Sequence, residues 1–240
     1  MRKLNESVLQ IGDIILTTTT DMSSKGIRKV TKSDISHALI YIESHCVIDA
    51  TSDGVHSKNT QRLFWEDECA VYVLRLKDEL DVSQLHRIVN YIRAKIGTRY
   101  SKTEAAKSVS GSAKLPNRKQ FCSRLVAQAY FSAGLSLVDD ADYCTPQQLK
   151  DSTKLFIVQD AIRVASSEEI SQSEGIDTTP QAMLKATNEL LSGARTKNDN
   201  IENINDIVQH LRTTNSDDTY FADLYQSSGY LTIWVDEQKK

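Results

Sequence analysis

Three side chains of this sequence have the types that acyl chemistry uses: the thiol of Cys122, the imidazole of His37 and the carboxylate of Asp49. Cys122 stands in QFCSRLVAQAYFSAG, residues 120–134. There Leu125, Val126, Ala129, Tyr130 and Ala133 recur at helical spacing, Arg124 and Gln128 fall on the other side, and Gly134 closes the run. The spacing predicts a buried helix with Cys122 and Ser123 at its opening. Unpaired N–H groups at a helix start carry partial positive charge and favour thiolate over thiol, which would make Cys122 a nucleophile toward carbonyls. A small cysteine buried at a helix end gives the same local pattern, since free cysteine is among the most buried residue types. The helix by itself does not separate the two.

His37 and Asp49 occupy two neighbouring runs, SDISHALIYI at residues 33–42 and CVIDAT at 46–51, joined by the polar Glu43-Ser44-His45. This predicts an antiparallel hairpin. Alternation puts His37, Leu39 and Tyr41 on one face of the first strand, and Val47, Asp49 and Thr51 on one face of the second. An imidazole or a carboxylate buried alone costs several kcal/mol, so on adjacent strands the two are most simply partners. Such a pair can serve only to fix the hairpin. Joined to a thiol at a helix start, it supplies the parts of a cysteine hydrolase or acyltransferase: nucleophile, base, and a group that fixes the base's tautomer. His45, in the polar turn, is expected at the surface, and His56, His86 and His210 show no comparable setting. Ser36 and Ser123, beside the reactive positions, read as caps or hydrogen-bond donors.

The positioning elements follow from hydrophobic period. IGDIIL at residues 11–16 reads as a strand covered on both faces, and AVYVLRL at 70–76 as another sheet strand. Residues 83–96 form an amphipathic helix through Leu85, Ile88, Val89 and Ile92, ended at Gly97. Between these lie a polar stretch at 18–32 with a short helical turn at 27–30, and a polar loop at 101–119. That loop forms a rim of the cleft whose Lys102, Lys107, Lys114, Arg118 and Lys119 either draw in an anionic substrate or are simply solvated. Cys144, just before Thr145-Pro146, is placed near the cleft without a role. Residues 155–158 are the last sheet strand. Beyond 159 come a linker at 166–179 and a helix from Pro180 through Leu191 that ends near Gly193. A second helix at 200–211, a helical turn at 221–225, and a strand or buried tail at 230–235 complete the chain.

A chain of 240 residues, 40% of them hydrophobic, can bury a substantial core in one domain plus an extension. Its 29 basic and 32 acidic residues leave a net charge of -3, and no basic stripe interleaves with aromatics, so nucleic acid is not an expected partner. No apolar stretch approaches the ~18 residues of a membrane span, and the first residues lack the apolar core of a signal peptide. The expected location is the cytoplasm. Cys46, Cys69, Cys122 and Cys144 are widely spaced with no C-x-x-C pair, which argues for reduced thiols and against a zinc ribbon or disulfide framework. No metal and no cofactor is expected.

Six short pieces occur in a specific order: GDIIL (12–16), SHALIYI (36–42), VIDAT followed by Gly54-Val55, the G-x-x-Y of Gly97 to Tyr100, FCSRLVAQAY (121–130) and TPQQL (145–149). Together they resemble the circularly permuted branch of the NlpC/P60 superfamily, the YiiX/YaeF-like group of papain-fold cysteine hydrolases, related more distantly to lecithin:retinol acyltransferases. In ordinary papain-like enzymes the Cys helix precedes the His strand, whereas here His37 precedes Cys122. The resemblance, over residues 10–160, implies Cys122 as nucleophile, His37 as general base, Asp49 as the orienting third residue, and Tyr100 near the thiol as pocket wall or hydroxyl donor. It implies an α+β, permuted papain-like fold: an antiparallel sheet against the Cys-bearing helix in a catalytic domain of residues 1–160. A mainly helical extension, 161–240, is expected to pack on it, cap the cleft, dimerise or bind a protein partner. The implied function is a cysteine-dependent hydrolase or acyltransferase acting on an amide or ester bond of a peptide or lipid-like small substrate. The alternative is a catalytically silent binding or regulatory module whose working surface is the extension.

Overall fold

Consecutive apolar residues make a strand that must be covered on both faces, and the sheet of this protein is built around two of them. In the computed structural model, which describes residues 1–18, 35–101, 105, 120–173 and 179–231, β2 (Ile14–Thr17) and β3 (His37–Glu43) pair antiparallel with Ile14 opposite Ile40. Around them lie β4 (Cys46–Thr51), β5 (Gly54–Asn59), β6 (Val71–Leu76) and β7 (Leu155–Ile157), in the order β5-β4-β3-β2-β6-β7, every neighbouring pair antiparallel. A separate two-stranded sheet joins β1 (Arg2–Leu4) to β8 (Ile162–Val164). The anticipated helical turn at 27–30, the cationic rim from Lys102 to Lys119 and the tail beyond 231 lie outside the described residues.

Both faces of the sheet are filled. On one, Ile14, Leu16, Ala38, Ile40, Ile48 and Ala50 pack under α1 (Val82–Ala94) and α2 (Cys122–Ser132), which contribute Ile88, Ile92, Leu125, Val126, Ala129 and Tyr130. On the other, Ile15, Leu39, Tyr41, Val47 and Val73 lie under Leu4 and Trp65. The amphipathic helix starts at a capping box, Asp81 with Gln84, which satisfies donors the first turn leaves open. The short α3 (Pro146–Lys150) starts the same way at Thr145 and Gln148.

Four details differ from the sequence reading. Arg124, expected on the polar side of its helix, is 2% exposed. Its guanidinium stacks between the rings of Phe121 and Tyr143, at 4.6 and 4.8 Å, and Nε donates to the Asp142 carbonyl at 2.6 Å, so burial leaves no unpaired charge face. The expected linker contains α4 (Ser167–Ser173), whose Glu169 pairs with Lys3 and Arg163. α5 (Thr179–Lys197) runs straight through Gly193. A Cβ there would stand 2.4 Å from Leu224 Cδ1, so this glycine permits a close helix approach and does not end the helix. Finally, α7 (Asp218–Ser227) is a full helix where one turn was expected.

Together α5, α6 (Ile204–Thr213) and α7 enclose a core of their own, with Leu190, Leu191, Ala194, Ile201, Ile207 and Phe221 at 0 or 1% exposure. This unit docks on the turn after α1. Leu191 lies on Gly97, Arg195 donates to the Gly97 carbonyl at 2.8 Å, and Glu202 pairs with Arg99 through Nε at 3.0 Å. Asn203 donates to Thr98 Oγ1 at 3.4 Å.

Candidate active site

Register brings the first two groups together. Leu39 is the cross-strand partner of Asp49, so His37, two residues earlier on the same face, sits diagonally from the carboxylate. His37 Nε2 lies 2.7 Å from Asp49 Oδ2, with the carboxylate fully buried and the imidazole 13% exposed. His37 is also the first residue of β3, at the sheet's end. There the start of α2 places Cys122 close enough to the ring to act on its charge. Since Nε2 is on Asp49, Nδ1 is the ring nitrogen left for the thiol. All three polar residues singled out in the sequence therefore converge.

The electrostatics follow. Burial alone pulls the His37 imidazole down, yet hydrogen bonds to Asp49 and Cys122 and their negative charge outweigh it and lift the group from 6.5 to about 10. Burial likewise pushes Asp49 up, but His37, then Lys58 and His56, hold it at about 2. Cys122 is 7% exposed and opens α2 directly behind Phe121, with no side chain capping the helix. The amides of this first turn therefore keep their positive ends free of a side-chain cap.

Cys144 and Ser123 fix that opening. The Ser123 hydroxyl donates to the Cys144 carbonyl at 2.6 Å, and the Cys144 thiol donates back to the Ser123 carbonyl at 3.3 Å. Burial, with the nearby Cys122 adding to it, pushes the Cys144 thiol up to about 12, which leaves it unreactive although it adjoins the site. Tyr100 is half-buried and bridges Gln120, two residues before the thiol. Burial and the charge of Cys122 raise its hydroxyl well above the ordinary tyrosine value, so it remains a donor. His45 is a surface residue, as expected, with positive φ in the hairpin turn and paired to Glu6. His210 is remote, bonded to Asp217 at 2.8 Å within the helical unit.

Two residues at the centre escaped the sequence reading. His56 is the direct register partner of Asp49, with Nε2 3.6 Å from Oδ1, and Lys58 donates to Oδ2 at 2.7 Å. Both stand on β5, and the signal was present. Ser52-Asp53 is a two-residue turn closed by Gly54 at positive φ, and it folds His56 back opposite Asp49. Among the described residues, no group of three or more His, Cys, Asp or Glu side chains is arranged to hold a metal ion. Nor is any described helix long and apolar enough to cross a membrane.

Comparison with known proteins finds both a family and similar folds. A family model described as "Permuted papain-like amidase enzyme, YaeF/YiiX, C92 family" matches residues 8–190. Among solved structures, the metalloprotein yiiX from Escherichia coli O157:H7 is similar in fold, with a TM-score of 0.52 and 19% identity over 63% of this chain and 97% of that one. No curated protein matches the chain.

Proposed function

The chain belongs to the permuted papain-like amidase family of the YaeF/YiiX type, and on that premise we propose that it is a cysteine hydrolase or acyltransferase working through an acyl-enzyme on Cys122. One observation carries the reading: a single imidazole is held between the buried Asp49 carboxylate at 2.7 Å and the thiol at the start of α2. His37 takes the thiol proton and keeps it, because its raised value holds the imidazolium through neutral pH. The Cys122 sulfur attacks the carbonyl carbon of an amide or ester. The resulting oxyanion meets the N–H groups at the α2 start and the hydroxyl of Tyr100. As the tetrahedral intermediate collapses, the imidazolium protonates the leaving amine or alcohol, and a thioester remains on Cys122. Water, or another acceptor, then gives a proton to His37, attacks the thioester and frees the thiol. Asp49 stays ionised throughout and fixes the ring's tautomer.

The family's amidase chemistry favours a peptide-type amide substrate. Ester substrates, a lipid acyl group among them, use the same steps. The discriminating experiment profiles the wild type and Cys122→Ala on matched amide and ester libraries, with the covalent adduct trapped by mass spectrometry. The expected result is a thioester adduct at Cys122 and turnover of one library. Turnover retained in Cys122→Ala would refute the mechanism. No turnover, with all four cysteines labelled alike by iodoacetamide, would favour a silent module.

A further inference from the structure

Asp49 is a fully buried carboxylate whose hydrogen bonds fall unevenly. Oδ2 receives two donors at 2.7 Å, His37 Nε2 from β3 and Lys58 Nζ from β5. Oδ1 is buried without a hydrogen bond, and His56 Nε2 stands 3.6 Å from it. The other nitrogen of His56, Nδ1, is 3.2 Å from the Gly54 carbonyl. A carbonyl only accepts, so Nδ1 carries the hydrogen, and in the neutral ring Nε2 turns a lone pair toward Oδ1. The groups facing Asp49 are thus His37 on β3 and His56 and Lys58 on β5, with Cys122 of α2 acting through His37. Of the β5 pair, Lys58 is the one whose hold on the carboxylate does not depend on a histidine proton.

We propose that Lys58 is a positioning residue of this centre: its ammonium, seated on the oxygen that also holds His37, keeps Asp49 oriented and moderates its grip on the imidazolium. An exposed Lys–carboxylate pair contributes little. Here the carboxylate is 0% exposed, the lysine side chain only 32%, and the shared oxygen makes two cations near neighbours. Each disfavours the charged form of the other. Without Lys58 the carboxylate binds the imidazolium more tightly, and the proton becomes harder to return to a leaving group. The catalytic consequence rests on the proposed function, but the effect on His37 needs no substrate.

The test is therefore a titration of the His37 ring by side-chain proton–nitrogen NMR, in parallel with the alkylation rate of Cys122 by iodoacetamide resolved by mass spectrometry. In Lys58→Met, and in Lys58→Gln as a second neutral variant, the His37 midpoint is expected to rise by about one pH unit. In Lys58→Arg it is expected to stay at the wild-type value. A wild-type midpoint in both neutral variants would make Lys58 a bystander and overturn the proposal alone. If His37 of the wild type titrates near 6.5, and Cys122 is alkylated no faster than Cys46, the thiol–imidazole pair is not assembled. Both the proposal and the function it rests on then fail.

Discussion

A carboxylate with no exposed surface is costly unless its charge is compensated, and Asp49 holds two donors on one oxygen, His37 from β3 and Lys58 from β5. That arrangement makes stability pH-dependent in a defined direction. His37 has a folded value raised from 6.5 to about 10, so the stabilisation it brings is complete below pH 6.5 and is lost as pH rises through about 10. Asp49 has one lowered from 3.8 to about 2, so its contribution is complete above pH 3.8 and is lost as pH falls through about 2. Thermal melts across pH should show the pair's full contribution between 3.8 and 6.5, then an alkaline decline. In Asp49→Asn that decline should shrink, and an unchanged decline would show that the pair is not coupled. If the proposed function holds, the same variant should lower kcat by about 10²–10⁴-fold, since an amide in place of the carboxylate leaves the ring free to adopt the wrong tautomer.

At the scale of elements, what could be read from the sequence was whatever a hydrophobic period announces. The sheet strands β2, β3, β4 and β6, the helix of Leu85, Ile88 and Ile92, and the Cys-bearing helix follow from alternation or a stripe, and so does the His37–Asp49 pairing. What stayed hidden was set by distant contacts. β5 alternates His56 and Lys58 with small polar residues, a pattern no apolar count detects, so only the turn before it announces the strand. Arg124 looks like a surface residue until Phe121 and Tyr143 enclose it. Gly97 and Gly193 read alike as helix stops, yet only Gly97 has the left-handed backbone, φ +86. An alanine at Gly97 would place Cβ 2.2 Å from Leu191 Cδ1. Gly97→Ala should therefore destabilise by about 1–3 kcal/mol, from strain and overpacking together. Urea unfolding measures this, and a neutral result would mean that α5 is not seated on that turn.

Across the whole molecule, the helical unit of α5 to α7 grips residues 97–99, and Tyr100 follows immediately. Glu202, 7% exposed on its side chain, is central to that grip through Arg99. Replacing it by alanine leaves the guanidinium without its partner and should loosen the unit before the sheet. In Glu202→Ala, limited proteolysis is expected to cut between α5 and α7 while the sheet stays intact. Simultaneous digestion of both would show one cooperative block. If the proposed function holds, the same variant should raise KM more than it lowers kcat, through the displaced tyrosine.

The pairing of β1 with β8 has a topological consequence. Met1 and Ala165 are joined by a backbone hydrogen bond of 3.1 Å, so the two ends of the sheet-bearing portion lie side by side. That portion, its two limits side by side, is nearly a closed ring, and a ring can be opened anywhere that a surface segment allows. Within it, sealing this seam and cutting instead between Leu76 and Val82 would bring the thiol ahead of the imidazole in sequence, with each neighbour in the folded sheet left as it was.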